Sequence, residues 1–166
     1  MLEKPTRVLF VSHKNSARGL IAEACLRQHW GSFFEVSSCG VPEMVALRPD
    51  TTVLAVLTTT GYIIDGLQPK DWTDFARRSS KPFDIVIALD SSSKGQHPIW
   101  PGQPETALWS YPSLDKQKDE TNSERDLRVI QTLHSLRRRV ELLVSLPKRV
   151  KTYADLRHDI RDMNHL

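Results

Sequence analysis

Cysteine is the first scarcity. Cys25 and Cys39 are the only two in 166 residues, too few for a secreted disulfide framework and without the paired spacing of a zinc site. The chain is therefore predicted to hold no metal and no cofactor, and to carry two reduced thiols in the cytoplasm. Long apolar runs are missing as well. No window approaches about 18 consecutive apolar residues, so no membrane span is expected. Residues 1–14 lack a basic start, an apolar stretch and a small-residue cleavage site, which predicts no secretory leader. Nor does one sign of charge dominate: 23 Lys and Arg stand against 20 Asp and Glu, a formal +3, and the interleaving of signs argues against a nucleic-acid partner. The basic clusters Arg137-Arg138-Arg139 and Lys148-Arg149 with Lys151 read as solvated faces of a helix and its exit.

What is present suffices for one domain. A hydrophobic content of 39% in a chain of this length supports a single core. Arg7-Val8-Leu9-Phe10-Val11 is a short β-branched and apolar run of the buried-strand type, stopping at Ser12. From Ala17 to about Trp30, apolar residues fall at helical spacing, with Gly31 as the stop. Phe33 to Ser38 reads as a second strand, and Pro49-Asp50 opens a helix running to about Gly61. Asp71 to Arg77 reads as a short helix, Phe83 to Leu89 as the clearest buried strand, and Thr106 to Trp109 as a fourth strand. Ser110 to Thr121, with Pro112, should be a surface loop. Leu127, Ile130, Leu133, Leu136, Val140 and Leu143 mark one face of a long helix that ends before Pro147.

Alternating strands and helices predict a three-layer α/β/α domain on a four-stranded parallel sheet over residues 1–147. Residues 148–166 are expected to form a helical extension packed on the same domain, with Tyr153, Leu156, Ile160 and Met163 on one face. Ligands of such sheets gather at the carboxyl ends of strands.

Chemistry concentrates in Ser12-His13-Lys14-Asn15-Ser16-Ala17-Arg18, between the first strand and the first helix. Backbone N–H groups at a helix N-terminus favour an anion. Arg18 adds a planar, permanently charged fork that matches two oxygens of a tetrahedral anion, and Asn15 suits the tight turn. The plain alternative is a polar strand-to-helix turn with Ser16 as N-cap. Trp72, Trp100 and Trp109 either line the rim of such a site or pack in the core.

These residues resemble the low-molecular-weight protein tyrosine phosphatase superfamily, and within it the thiol-dependent bacterial arsenate reductases. The likeness rests on Val8 to Val11, Asn15-Ser16-Ala17-Arg18 and Ala22-Glu23. It continues in Pro98 to Pro104 with Ala107 and Trp109, and in a long helix ending at Ser145-Leu146-Pro147 before a short tail. The resemblance implies a nucleophilic cysteine where this chain has Ser12, a hydroxyl donor to the thiolate where it has Gly19, and an aspartate–proline acid pair where it has Ser113 and Leu114. It implies redox thiols near Leu89 or Asp90 and at His97.

A helix N-terminus can ionise a thiol but not a serine hydroxyl, which would need a neighbouring base such as His13. A hydroxyl at position 113 cannot act as a carboxylic acid does near neutral pH, and Asp115 is the candidate substitute. A laboratory substitution would account for Ser12 alone; it would not account for the other departures. Cys39 and Cys25 read as core residues.

The expectation is a protein that binds phosphate, sulfate, arsenate or a phosphoprotein through residues 12–18 without catalysis. Two alternatives stand beside it. One is an unusual tyrosine phosphatase or arsenate reductase using Ser12, His13 or Asp115. The other is a non-catalytic scaffold, including a homodimer, in which Arg18 is tied to an internal carboxylate.

Overall fold

The computed structural model describes residues 4–145, so the expected extension over 148–166, with Lys148, Arg149 and Lys151, lies outside the described residues. Four strands, β1 (Thr6–Val11), β2 (Phe34–Cys39), β3 (Ile85–Ala88) and β4 (Glu105–Leu108), pair in the order β2-β1-β3-β4, all parallel. Helices α1 (Arg18–Trp30), α2 (Thr51–Thr59), α3 (Thr73–Ala76), α4 (Ser91–Lys94) and α5 (Asn122–Ser145) cover the sheet. This is the three-layer α/β/α arrangement expected.

Strand β1 shows why both faces must be covered. Side chains alternate along a strand, so Val8 and Phe10 enter the core under α1 and α5, while Leu9 and Val11 enter a second core with Val86, Phe83, Trp72 and Trp100. All four β1 side chains are fully buried. The first helix is enclosed too: every residue from Gly19 to Leu26 is buried. Its one charged member in that run, Glu23, accepts the Ser38 hydroxyl at 2.7 Å and lies within 4 Å of Arg27 and Lys70, as a buried carboxylate must be paired.

Several expectations are corrected. Leu127 is 54% exposed and is not on the packed face of α5. That face is Val129, Leu133, Leu136, Val140 and Leu143, a spacing that keeps to the helical period, which Leu127 does not. The helix expected over Asp71 to Arg77 shortens to Thr73–Ala76, and Ser91–Lys94 forms a turn of helix where none was expected. Arg139 is not simply solvated. Its guanidinium lies over the rings of Trp109 and Tyr111, at 5.8 and 5.2 Å from their centroids.

The order β2-β1-β3-β4 sets the site. The chain leaves β1 to one side for β2 and returns to the other for β3, so the loops leaving the carboxyl ends of β1 and β3 diverge. Ligand clefts open at such a switch point. Ser12 follows β1 and Asp90 follows β3 closely.

Candidate functional site

A cleft of about 380 Å³ opens there, lined by every residue from Ser12 to Arg18, with Asp90, Tyr111, Ser113 and Asp115 among the residues opposite. The loop's shape follows from what its carbonyls do. Those of His13, Lys14 and Ser16 accept from the amides of Val41, Ala46 and Asp50 at 2.9 to 3.1 Å. Carbonyls anchored to the 41–50 segment leave the amides of Lys14, Asn15, Ser16 and Ala17 with no acceptor among the described residues. Ala17, not Ser16, is the N-cap of α1, and it supplies no side-chain cap. The helix thus presents uncapped N–H groups, where the dipole favours an anion.

Asn15 makes the turn. It is fully buried with φ of +51°, a left-handed conformation that Asn tolerates better than most residues. Its side-chain amide donates to Lys70 O at 3.4 Å. The first two amides of the loop are occupied differently: Ser12 N donates to Cys39 O at 3.1 Å and His13 N to Asp90 Oδ2 at 2.9 Å. Of the expected anion-binding residues, Ser12 and His13 therefore line the cleft but do not offer free amides.

Arg18 donates through Nη1 to Tyr111 O at 2.9 Å and pairs through Nη2 with Asp90 Oδ2 at 3.0 Å. Burial lowers its pKa, opposed by the charges of Asp90 and then Asp115. Asp90 was not among the site residues expected from sequence. It accepts from His13 N, Arg18, Ser92 Oγ and Ser93 N, and the last of these caps α4. Burial disfavours its charge, yet the bonds from Ser93, the charge of Arg18 and the His13 amide outweigh it and hold the carboxyl below its ordinary range. Its place in sequence, an acid just past the clearest strand and before a run of three serines, signals the α4 cap but not the meeting with Arg18.

The groups expected to do chemistry are placed but not connected. Ser12 is 2% exposed, and its Oγ finds no hydrogen-bond partner among the described residues; neither does His13 Nδ1. No Ser12–His13 dyad forms. A Cβ at Gly19 would lie 3.0 Å from Ser12 Oγ and 2.6 Å from Asn15 Oδ1, so the chain passes too close at that point for an unshifted side chain. Ser113 faces the cleft from an exposed loop and uses its hydroxyl to accept the Asp115 amide at 3.1 Å. Leu114 is buried as an apolar plug.

Asp115 does reach the cleft, where Lys14 Nζ donates to its Oδ2 at 2.7 Å. That bond is the main reason its carboxyl sits below the ordinary range, which is opposite to what a general acid needs. The loop carrying it is braced from α5. Arg128 donates to Ser113 O, Asp115 O and the Glu120 carboxylate, and Arg125 to Leu114 O and the Asp50 carboxylate.

The two cysteines stand apart from the cleft. Cys25 and Cys39 are fully buried, away from the cleft lining, and burial raises both thiols, Cys25 to about 11. Leu89 is core, and His97 packs edge-on against Trp72 and Trp100. The tryptophans form no rim: Trp72, Trp100 and Trp109 are all buried in core positions, and none lines the cleft. Among the described residues no cluster of His, Cys, Asp and Glu could hold a metal. No described helix is long and apolar enough to cross a membrane.

Residues 7–124 match the model of the low molecular weight phosphotyrosine protein phosphatase family. The chain belongs to that family. Solved structures agree on the fold. An arsenate reductase in the phosphate binding state is 24% identical, with a TM-score of 0.65, and the match covers 84% of this chain and 97% of that one. A thioredoxin-dependent arsenate reductase from Corynebacterium glutamicum is 27% identical over 85% of this chain and 65% of its own, with a TM-score of 0.57. The tyrosine phosphatase Wzb from Escherichia coli, in complex with sulphate, is 19% identical over 83% of this chain and 98% of its own, with a TM-score of 0.60. No curated protein matches the chain by sequence.

Proposed function

We propose that the chain binds a tetrahedral oxyanion at residues 12–18 and leaves it unreacted. The carrying observation is the loop itself: unengaged amides from Lys14 to Ala17 beside an Arg18 fork, in a cleft whose Ser12 hydroxyl has no base. The preorganised donors favour an anion. A neutral, unactivated hydroxyl does not attack one, and Asp115, held as a carboxylate by Lys14, has no proton to give a leaving group. Phosphate, arsenate, sulfate and a phosphoprotein are the ligand types this geometry accommodates. That relatives were solved with phosphate or sulphate supports the reading.

Calorimetry with inorganic phosphate tests it. Binding in the millimolar range or tighter is expected, abolished in Arg18→Ala and weakened in Arg18→Lys, which keeps the charge but loses the fork. Turnover of an aryl phosphate that disappears in Ser12→Ala would instead establish a residual phosphatase. The Arg18–Asp90 pair favours a second reading, a scaffold whose arginine is satisfied internally. That reading is supported if phosphate does not bind and the cleft variants leave stability of the folded chain as its only readout.

A further inference from the structure

Four charged side chains whose pairing is clear line the cleft: Lys14, Arg18, Asp90 and Asp115. Their charges cancel in two pairs, Lys14 with Asp115 and Arg18 with Asp90. A dianion entering such a cleft gains little from net charge. It depends on the amides, and on whatever hydrogen bonds its own atoms can make to the two carboxylates it meets.

The two carboxylates differ in what they can still accept. An ionised carboxylate offers about four lone-pair sites. Asp90 uses that capacity on His13 N, Arg18 Nη2, Ser92 Oγ and Ser93 N. Asp115 takes Lys14 on Oδ2 at 2.7 Å and a further side-chain contact from Ser113, which leaves part of that capacity unused. Its backbone is fixed by Arg128 on its carbonyl and by Ser113 Oγ on its amide, and Lys14 tethers the carboxylate at the cleft. Arg18 and Asp115 also lie close enough for each to bias the other's protonation. Both side chains line the one cleft, so a ligand on the Arg18 fork shares that space with the Asp115 carboxylate.

We propose that the cleft selects tetrahedral oxyanions that carry a proton, hydrogenphosphate or hydrogenarsenate, over sulfate, with Asp115 as the acceptor that reads that proton. The inference rests on the reading of residues 12–18 as an oxyanion cradle. Hydrogenphosphate and sulfate have the same charge near neutral pH and nearly the same shape; they differ in one hydrogen. Hydrogenphosphate and hydrogenarsenate donate it to the Asp115 carboxylate. Sulfate has none, so an oxygen of the ligand faces an oxygen of Asp115 and both are acceptors: the bond is lost and two negatively charged oxygens stand opposed. The Asp115 side chain is 58% exposed, so water and salt moderate the contrast.

Calorimetric titration of the full chain with sodium phosphate, arsenate and sulfate, at neutral pH and constant ionic strength, tests the proposal. Phosphate and arsenate should each bind about tenfold more tightly than sulfate, the scale of one charge-assisted hydrogen bond to a partly exposed group. In Asp115→Asn, whose amide can donate to either ligand, the three affinities should converge, chiefly because sulfate tightens. Circular dichroism and thermal melting establish that the variant is folded. Equal affinities in the unaltered protein, or an undiminished preference in folded Asp115→Asn, overturn the selectivity. Failure of all three anions to bind the unaltered protein overturns the cradle itself, and the selectivity with it.

Discussion

One oxygen of Asp90 holds Arg18 in place: Oδ2 accepts from Nη2 at 3.0 Å while taking the His13 amide at 2.9 Å. With side-chain exposures of 10% and 11%, both ions of this pair are largely out of water. Asp90→Ala should therefore lower stability in urea by about 3 kcal/mol, the cost of leaving one buried charge alone, with the lost α4 cap included. Phosphate should recover part of that loss by supplying the missing countercharge. Its stabilising shift in melting temperature should be larger in Asp90→Ala than in the unaltered protein. An unchanged shift would mean that the anion does not meet Arg18.

A thiol placed at position 12 should not by itself give turnover. In Ser12→Cys the new sulfur sits at an uncapped helix N-terminus, which should bring its pKa below the reference of about 8.5. Cys25 and Cys39 lie away from the cleft that position 12 lines, so iodoacetamide alkylation in excess of that of the unaltered protein reports the new thiol. Aryl phosphate turnover should stay at background, since Ser113 and an ionised Asp115 supply no acid. Sustained turnover in this single variant would refute the account of the missing acid.

Gly19 offers a packing test. Alanine normally favours a helix over glycine by about 1 kcal/mol. Here its Cβ would meet Asn15 Oδ1 at 2.6 Å and Ser12 Oγ at 3.0 Å, and Asn15 is itself buried in a left-handed turn. Gly19→Ala should lower stability by about 1 to 2 kcal/mol net, the usual range of an overpacked site. A rise in melting temperature would show that the loop is looser than described.

His97 should make stability depend on pH. Burial, then the charge of Lys94, lowers its pKa from 6.5 to about 4, against the pull of Asp90. Its Nδ1 accepts from Trp100 Nε1 at 3.4 Å, so the neutral ring is the one that fits. The unfolded chain then binds the proton more readily than the folded one. The contribution is complete above pH 6.5 and is lost as pH falls from there toward about 4. Urea midpoints should drop over that window, and His97→Gln should flatten the drop. A profile identical in both proteins would assign the acid sensitivity to other groups.

The sheet and the strand–loop–helix step at residues 12–18 were legible because each has a local signature. Val8 to Val11 and Ile85 to Ala88 are apolar runs with no competing reading, and the strand–loop–helix step at Ser12 follows from where the first run stops. Asp90 was missed as a site residue because its role is nonlocal. It meets Arg18 only once β1 and β3 lie side by side, and nothing near it in sequence announces that pairing. The tryptophans were ambiguous for a related reason. Indole rings suit a rim and a core equally well, and only the packing of Trp72 against Trp100, with Trp109 beside Phe10, decides. Hydrophobicity alone places Leu127 on the packed face, whereas the helical phase set by Val129 and Leu133 excludes it.

The amides of Lys14 to Ala17 belong to any residue but proline that stands in those positions. Replacing side chains alters the reactivity of such a loop one group at a time: a thiol here, a hydroxyl or an acid there. The peptide donors stay as long as β1 still hands the chain to α1 at the same angle. The donors of this turn are therefore separable from its reactive groups, because they are a property of the main chain and not of the side chains it carries.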